Sequence, residues 1–225
     1  MEGHLYSSWL RPVGKFPIPN PQFPKFPAVA LVVSGGHTIL LAMQSMTQWK
    51  KLGETRDDAA GEAFDKVARM LSLPYPGGPA IAKLAKQGDC NAVDFPKAMK
   101  HQKNYDFSFT GVKTAVLNYL RDNPRANKAD VAASFERAVT DVLAYKTERA
   151  AREFGAKTIL LSGGVAANTW LRKKLERAAD TLGISFVAPR MDYNTDNAAM
   201  IGAAAYIRAL QKKKYRMVAQ PNLSL

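Results

Sequence analysis

Two segments with the same sequence, Ser-Gly-Gly, are candidates for binding a phosphate group. They are Ser34-Gly35-Gly36 and Ser162-Gly163-Gly164, and each follows an apolar run. Because glycine has no Cβ, backbone N–H groups in such a segment can approach a phosphate or an adenine closely. The second segment also opens a predicted helix, whose N-terminus adds partial positive charge. A single segment of this kind is a common type of turn, but two predict paired glycine loops that face one nucleotide cleft.

Two carboxylates close to the first loop in sequence could bind a ribose. Glu62 and Asp65 lie three residues apart in a predicted helix, so they share one side of it. A carboxylate placed in this way can accept hydrogen bonds from ribose hydroxyl groups, as in dinucleotide sites. The alternative is a surface helix in which Glu62 and Lys66 form an i,i+4 ion pair, and in isolation the sequence favours it.

Two further residues, His4 and Asp196, are candidate metal ligands. Taken alone, each has a simpler explanation: a histidine near a terminus often has no special role, and an aspartate before a helix is usually its N-cap. The sequence contains no HExxH, no cysteine pair, no G-x-S-x-G and no P-loop. It therefore lacks the parts of the usual zinc-protease and serine-hydrolase mechanisms.

The hydrophobic pattern predicts the elements that must position these residues. The apolar runs Ala28–Ser34 and Thr38–Met43 predict two buried strands joined at a tight glycine turn. Asp57–Leu73 is typical of an amphipathic helix, because its apolar residues recur at helical spacing. The segment after it, rich in proline and glycine, ends this helix and leads to a second one over Ala80–Lys86.

The last third of the chain alternates between strand and helix patterns. Strands are predicted over Thr158–Leu161 and Ile184–Val187, and helices over Ala166–Leu182 and Asp196–Leu210. This βαβα order implies parallel pairing with helices packed on the sheet, so the fold class is α/β. The middle of the chain adds a short strand over Asp106–Phe109 and helices over Val112–Arg121 and Asp130–Phe154.

The chain carries a large excess of positive charge. Its 225 residues include 32 Lys and Arg against 19 Asp and Glu, a formal net charge of +13. Such an excess favours a polyanionic partner, because phosphate contacts release counterions, and we expect nucleic acid. Any single cluster is also explained by a solvated helix face or tail. The clusters are Lys97, Lys100 and Lys103; Arg121, Arg125 and Lys128; Arg172, Lys173, Lys174 and Arg177; and Lys212, Lys213, Lys214 and Arg216.

Cysteine usage and hydropathy indicate the compartment. The single cysteine, Cys90, excludes an internal disulfide and fits a reducing environment. No apolar run approaches the roughly 20 residues of a membrane span, and the first residues lack the order of a secretion signal. We therefore expect a cytoplasmic protein without a membrane partner.

Taken together, several segments in a fixed order resemble the TsaD family, once described as glycoproteases. The family comprises tRNA N6-adenosine threonylcarbamoyltransferases, and its fold is the actin/Hsp70-like ATPase (ribonuclease H-like) architecture. The matching segments are Met1–His4, Leu31–Thr38 (LVVSGGHT), Gly53–Lys66 (GETRDDAAGEAFDK), Tyr75–Pro79 (YPGGP), Asp106–Thr114 (DFSFTGVKT), Leu161–Asn168 (LSGGVAAN) and Thr195–Gly202 (TDNAAMIG).

This resemblance implies an activity and a site. The activity is transfer of the threonylcarbamoyl group from threonylcarbamoyl-AMP to the N6 amine of adenosine 37 in tRNAs that read ANN codons. His4 and Asp196 match ligands of one divalent metal ion, iron in the first place and zinc as the alternative. The residues that match the family's substrate-binding positions are Val32, Val33, Ser34, Gly35, Gly36, Asp65, Gly78 and Asn168.

The same resemblance implies partners and a division of the chain. We expect tRNA, threonylcarbamoyl-AMP, a TsaB-like paralogue and a TsaE-like ATPase as partners. The chain matches mostly the C-terminal portion of the family, and the first histidine of the family's H-x-x-x-H motif would precede Met1. Residues 1–27 then form the remnant of a metal-binding helix and a proline-rich loop, residues 28–210 an actin-like ATPase-type α/β domain, and residues 211–225 a basic tail.

Because of that missing histidine, the expectation is that this chain alone binds metal weakly and transfers no threonylcarbamoyl group. One alternative is a truncated, non-catalytic fragment that binds tRNA or a partner. A metalloprotease is the less favoured alternative, because the sequence has no HExxH.

Overall fold

A mixed five-stranded sheet forms the centre of the computed structural model, which describes residues 2–8, 10, 24–190, 193–194 and 196–210. The strand order is β3-β2-β1-β4-β5. Strand β1 pairs antiparallel with β2 and parallel with β4, β2 pairs antiparallel with β3, and β4 pairs parallel with β5. The strands are β1 (Ala28–Val33), β2 (Thr38–Met43), β3 (Trp49–Glu54), β4 (Thr158–Ser162) and β5 (Ser185–Val187).

Helices cover both faces of this sheet. They are α1 (Glu2–Ser7), α2 (Ala60–Met70), α3 (Gly77–Ala85), α4 (Thr110–Asp122), α5 (Lys128–Glu153), α6 (Thr169–Leu182) and α7 (Ala198–Leu210), with a 3-10 helix at Gly164–Ala167. Because side chains alternate along a strand, β1 divides between two hydrophobic cores. Val29, Leu31 and Val33 share a core with α2 and α5, whereas Ala28, Ala30 and Val32 share one with α1 and α7. Burial on both faces explains why β1 is apolar throughout.

The α/β prediction is confirmed, and so are the predicted strands β1, β2, β4 and β5 to within a residue or two. The edge strand β3 was not predicted, because Trp49 and Leu52 are its only large apolar residues. A strand over Asp106–Phe109 was wrong: only Phe107 bridges to the sheet, next to Thr55 at the end of β3.

Three helix starts differ from the prediction by three residues, and the first is α2, which begins at Ala60 rather than Asp57. Helix α3 begins at Gly77 rather than Ala80, since Pro79 falls in its first turn, where no backbone N–H is needed. The segment predicted as a helix from Ala166 is divided, and α6 begins only after Asn168. The tail at residues 211–225 and most of the proline-rich loop lie outside the described residues. Among the helices described, none is both long and apolar enough to cross a membrane.

Candidate functional site

The two glycine loops leave the same edge of the sheet. Strands β1 and β4 are parallel neighbours, with Val32 opposite Ser162, so both loops follow the carboxyl ends of adjacent strands. Gly163 has φ 91° and ψ 172°, a conformation open to glycine almost alone. A Cβ at this position would lie 2.3 Å from the Val33 carbonyl oxygen. The second loop therefore rests directly on the end of β1, in agreement with the predicted pairing of the loops.

The first loop closes on itself and leaves its glycines open. The Ser34 N–H donates to the His37 carbonyl at 2.8 Å, and the His37 N–H donates to Ser34 Oγ at 3.1 Å. A Cβ on Gly35 or Gly36 would meet nothing within 4 Å. Val32 and Val33 are fully buried in the sheet, so neither residue presents exposed atoms to a ligand. The part of this loop that is accessible to a ligand is thus the glycine backbone.

Helix α2 begins against the first loop because Gly61 allows a close approach. The Gly61 N–H donates to the Ser34 carbonyl at 3.2 Å, and a Cβ on Gly61 would lie 2.6 Å from that oxygen. Asp65 lies four residues later, on the same side of α2. Its Oδ1 accepts a hydrogen bond of 2.8 Å from the Gly77 N–H at the start of α3. The first loop and the start of α3 therefore lie along one side of α2.

The structure separates the two carboxylates of α2. Glu62 pairs with Lys66 at 2.8 Å and is about half exposed, which is the ion pair of the alternative interpretation. Asp65 instead binds α3, and no hydrogen bond to its Oδ2 is recorded among the described residues. Next to Gly77, a Cβ on Gly78 would meet nothing within 4 Å. Asp65 and Gly78 thus lie together, with space beside them.

Asn168 has a structural role that the sequence did not reveal. Its Oδ1 accepts from the Leu171 N–H at 2.8 Å and so caps α6, while its Nδ2 donates to Glu136 Oε1 at 2.6 Å. Burial raises the pKa of Glu136, and the hydrogen bond from Asn168 opposes this shift. The side chain predicted to contact substrate therefore fixes the second loop to α5. The sequence signal for this contact was Glu136 itself, an acidic residue within a largely apolar part of α5. Because unpaired acids are rarely buried, such a residue needs a partner.

The two candidate metal ligands, distant in sequence, meet where α1 packs against α7. His4 Nε2 lies 3.1 Å from Asp196 Oδ1, with the histidine largely buried and the aspartate exposed. The contact between the helices is close because Gly3 faces Met200. Burial lowers the pKa of His4 while Asp196 acts in the opposite direction. The imidazole is thereby favoured in its neutral form, which is the form that binds metals.

This pair fits two positions of a coordination sphere. Two ligands about 2.1 Å from a tetrahedral zinc lie roughly 3.4 Å apart, close to the separation of His4 and Asp196. His4 Nδ1 is buried and has no hydrogen-bond partner recorded in the described chain, so the ring could satisfy a further interaction. Within the described residues, no group of three or more His, Cys, Asp or Glu side chains could hold a metal.

Some residues of the predicted basic clusters are occupied within the protein. Arg172 belongs to one of these clusters, but its guanidinium donates to the Ala166 carbonyl, to the Pro189 carbonyl at 2.6 Å and to Asn194 Oδ1 at 3.3 Å. It thus connects the second loop with the segment that leads to Asp196. Lys128 likewise donates to the Leu71 carbonyl. The cluster from Lys212 to Arg216 lies outside the described residues.

Comparison with known proteins gives a consistent family. The model of the TsaD family, described as tRNA N6-adenosine threonylcarbamoyltransferase, matches residues 1–203. Proteins with that name from Moorella thermoacetica and Desulfitobacterium hafniense are 50% and 48% identical to this chain over 93% and 100% of it. A third, from Thermosipho melanesiensis, is 46% identical over 99% of the chain. The chain spans 60%, 65% and 66% of the length of these three relatives.

A solved structure shares the fold. HypF from T. kodakarensis matches 74% of this chain and 22% of its own, with a TM-score of 0.52 and 21% identity. At this identity the similarity concerns the fold alone. Together with the mixed five-stranded sheet, it confirms the predicted actin/Hsp70-like class.

Proposed function

The chain belongs to the TsaD family, and we propose that it serves in the transfer of the threonylcarbamoyl group from threonylcarbamoyl-AMP to the N6 amine of adenosine 37 in tRNAs that read ANN codons. The observation that carries this proposal is a set of open glycines along α2: Gly35 and Gly36 at the carboxyl end of β1, and Gly78 next to the contact of Asp65 with α3. Ligands of open α/β sheets bind at such strand ends.

Each part of the adenylate has a matching group in this arrangement. The backbone of Gly35 and Gly36 can approach the phosphate without a Cβ in the way. The second carboxylate oxygen of Asp65 can accept from a ribose hydroxyl while Oδ1 holds the start of α3. Gly78 leaves room for the nucleoside beside it. Asn168 fixes the second loop, and the hydrogen-bonding capacity of its side-chain amide that capping does not use is available to the substrate.

We propose that His4 and Asp196 supply two ligands to a divalent ion, iron in the first place and zinc as the alternative. When bound, such a metal would act as a Lewis acid on the threonylcarbamoyl carbonyl. In the reaction, the adenosine amine forms a bond to the carbonyl carbon, the bond from that carbon to the AMP oxygen breaks, and the amine loses a proton. The buried, neutral His4 keeps its ring available as a ligand at neutral pH.

The test is a tRNA modification assay on the full chain. Threonylcarbamoyl-AMP, unmodified tRNA and iron or zinc would be supplied, with and without a TsaB-like paralogue and a TsaE-like ATPase. Mass spectrometry of the digested tRNA should detect threonylcarbamoyl-adenosine, and Gly35→Val, which fills the open space, should abolish it. Full transfer by Gly35→Val would contradict the proposed cleft.

A second candidate function is tRNA binding without catalysis. It is favoured by the observation that the described residues bring only two of the metal-binding side chains together. Absence of the modified nucleoside in every arm of the assay, together with retained tRNA binding, would select this function.

A further inference from the structure

Two basic clusters that are distant in sequence meet in a groove between α5 and α6. We call it the α5–α6 groove, and its lining includes Lys100, Asp141, Tyr145, Lys174, Arg177 and Thr181. Lys100 comes from the loop before α4, and Lys174 and Arg177 come from α6. The long helix α5 lies between these two clusters and contributes the groove's carboxylates and the Tyr145 ring.

Two exposed aromatic rings each have a lysine of this groove over them. The Tyr145 side chain is 37% exposed, and Lys100 Nζ lies 5.2 Å from its ring centroid. Trp170 is 41% exposed, and Lys174 Nζ lies 5.7 Å from its ring centroid. Exposed rings on which bases can stack, next to cations that can contact phosphates, are typical of surfaces that bind single-stranded nucleic acid.

The acidic residues of the groove are largely neutralised. Asp141 pairs with Lys97 at 3.3 Å and also with Lys174. Glu148 pairs with Arg152 at 2.9 Å. Lys100 and Arg177 have no ion pair recorded within the described part of the chain, so their charges remain available to a ligand.

The groove lies along the two helices that also meet at Asn168. Asn168, which follows the second glycine loop, contacts Glu136 of α5, and Lys174 contacts Asp141 further along the same two helices. Arg177 lies nine residues beyond Asn168 on α6, which corresponds to about 14 Å of helix. Trp170 lies in the first turn of α6, two residues after Asn168, and its contact with Lys174 connects this end of α6 with the groove.

We propose that the α5–α6 groove binds unpaired nucleotides of the substrate RNA, with Tyr145 and Trp170 stacking on bases and Lys100 and Arg177 contacting phosphates. This inference rests on the proposed function for the identity of the RNA and assigns it a surface. Sequence-specific and loop-directed proteins recognise RNA mostly through unstacked bases held on aromatic rings, which is what this groove offers.

The test is binding of a fluorescent, unmodified tRNA to the full chain, measured by anisotropy over a range of salt concentrations. Tyr145→Ala and Trp170→Ala should each weaken binding roughly five- to a hundredfold, the usual cost of a lost stacking ring. The double variant Lys100→Gln/Arg177→Gln should reduce the slope of log affinity against log salt by about one to two. Tyr145→Trp keeps a ring and should bind like the wild type.

Matched controls lie on other faces. Tyr206→Ala removes a ring that is 66% exposed on α7, and Lys83→Gln/Lys157→Gln removes two exposed charges. The tyrosine control should leave tRNA affinity unchanged. In the background of the charge control, Tyr145→Ala and Trp170→Ala should weaken tRNA binding by the same factor as in the wild type. The inference is overturned if Tyr145→Ala and Trp170→Ala bind tRNA like the wild type, or if polyphosphate, which has no bases, competes as well as RNA does.

Failure of this inference is distinguishable from failure of the proposed function. If the groove variants transfer the threonylcarbamoyl group and bind tRNA like the wild type, the inference about the groove is overturned and the proposed function still stands. Groove-dependent tRNA binding without any transfer would support the groove and count against catalysis. AMP binding, measured by calorimetry, should not change in the groove variants, because the groove rings lie outside the glycine cleft.

Discussion

Gly163 and Val33 are in such close contact that a Cβ on the glycine would lie 2.3 Å from the valine carbonyl oxygen. This contact joins the second glycine loop to the end of β1, where the first loop begins. The two Ser-Gly-Gly segments are identical in sequence but differ in what their glycines do. Gly163 is required by its positive φ and by packing, whereas Gly35 and Gly36 border open space.

Replacing Gly163 by alanine should destabilise the fold. The substitution combines a disfavoured φ with a clash against backbone, and we expect a loss of about 2–5 kcal/mol in the free energy of unfolding. Urea denaturation would measure it. Gly164→Ala is the matched control, because its Cβ meets nothing within 4 Å, and it should change stability by less than about 1 kcal/mol. Equal losses in the two variants would contradict the assigned contact.

Asp65 should matter more for nucleotide binding than Glu62. Asp65→Asn keeps an oxygen for the Gly77 N–H but removes the charge, so the start of α3 should persist while affinity for AMP falls. Losing a charged hydrogen bond costs about 1.5–3 kcal/mol, which is roughly ten- to a hundredfold in affinity. Calorimetry with AMP is the measurement. Glu62→Gln, which disrupts only the pair with Lys66, should bind AMP like the wild type, and an unchanged affinity in Asp65→Asn would remove Asp65 from the site.

His4 and Asp196 should act together on metal affinity. Either His4→Ala or Asp196→Asn should weaken zinc binding by at least about tenfold, because each removes one of two neighbouring ligands. Calorimetric titration with zinc, followed by removal with a chelator, would measure this. The matched control is His101→Ala, because the His101 ring lies against Tyr145 of α5 and not against this pair. If all three variants bind zinc equally, the pair is only a hydrogen-bonded contact.

The stability of the fold should rise with pH between about 8 and 10.5 through Lys146. This lysine is fully buried and donates to the Asp106 carbonyl at 2.5 Å and the Asn104 carbonyl at 3.2 Å. Burial, with the charge of Arg149 as a second cause, lowers its pKa from 10.5 to about 8. Below pH 8 both the folded and the unfolded chain carry this proton, so its unfavourable contribution is constant. Between the two pKa values the unfolded chain binds more protons, so stability increases with pH.

The reference for this prediction is Lys146→Met, which lacks the titrating group. Urea denaturation of both proteins at pH 7 and pH 10 should find that the wild type gains stability relative to the variant at the higher pH. Parallel pH dependence of the two proteins would show that the buried lysine does not titrate in this range.

The strands and helices that the sequence predicted are those whose pattern is set by burial along a single segment. Strand β1 is buried on both faces and is therefore apolar throughout, and the amphipathic spacing of α2 likewise follows from one buried side. Strand β3 escaped prediction because β2 provides its hydrogen bonds, whereas its own residues are largely polar. An edge strand can form without an apolar pattern, because the hydrogen bonds to the neighbouring strand define it.

The sequence alone also provided the family resemblance, the two glycine loops and the excess of positive charge, since these depend on residue type and order. It could not assign partners to the polar residues. Only the tertiary structure brought Asp65 into contact with α3 and gave Asn168 and Arg172 their structural contacts. It also joined His4 to Asp196, and the basic cluster around Lys100 to α6. The physical reason is that periodicity records whether a side chain is buried, whereas hydrogen bonds and ion pairs depend on which distant segments the packing brings within about 3 Å.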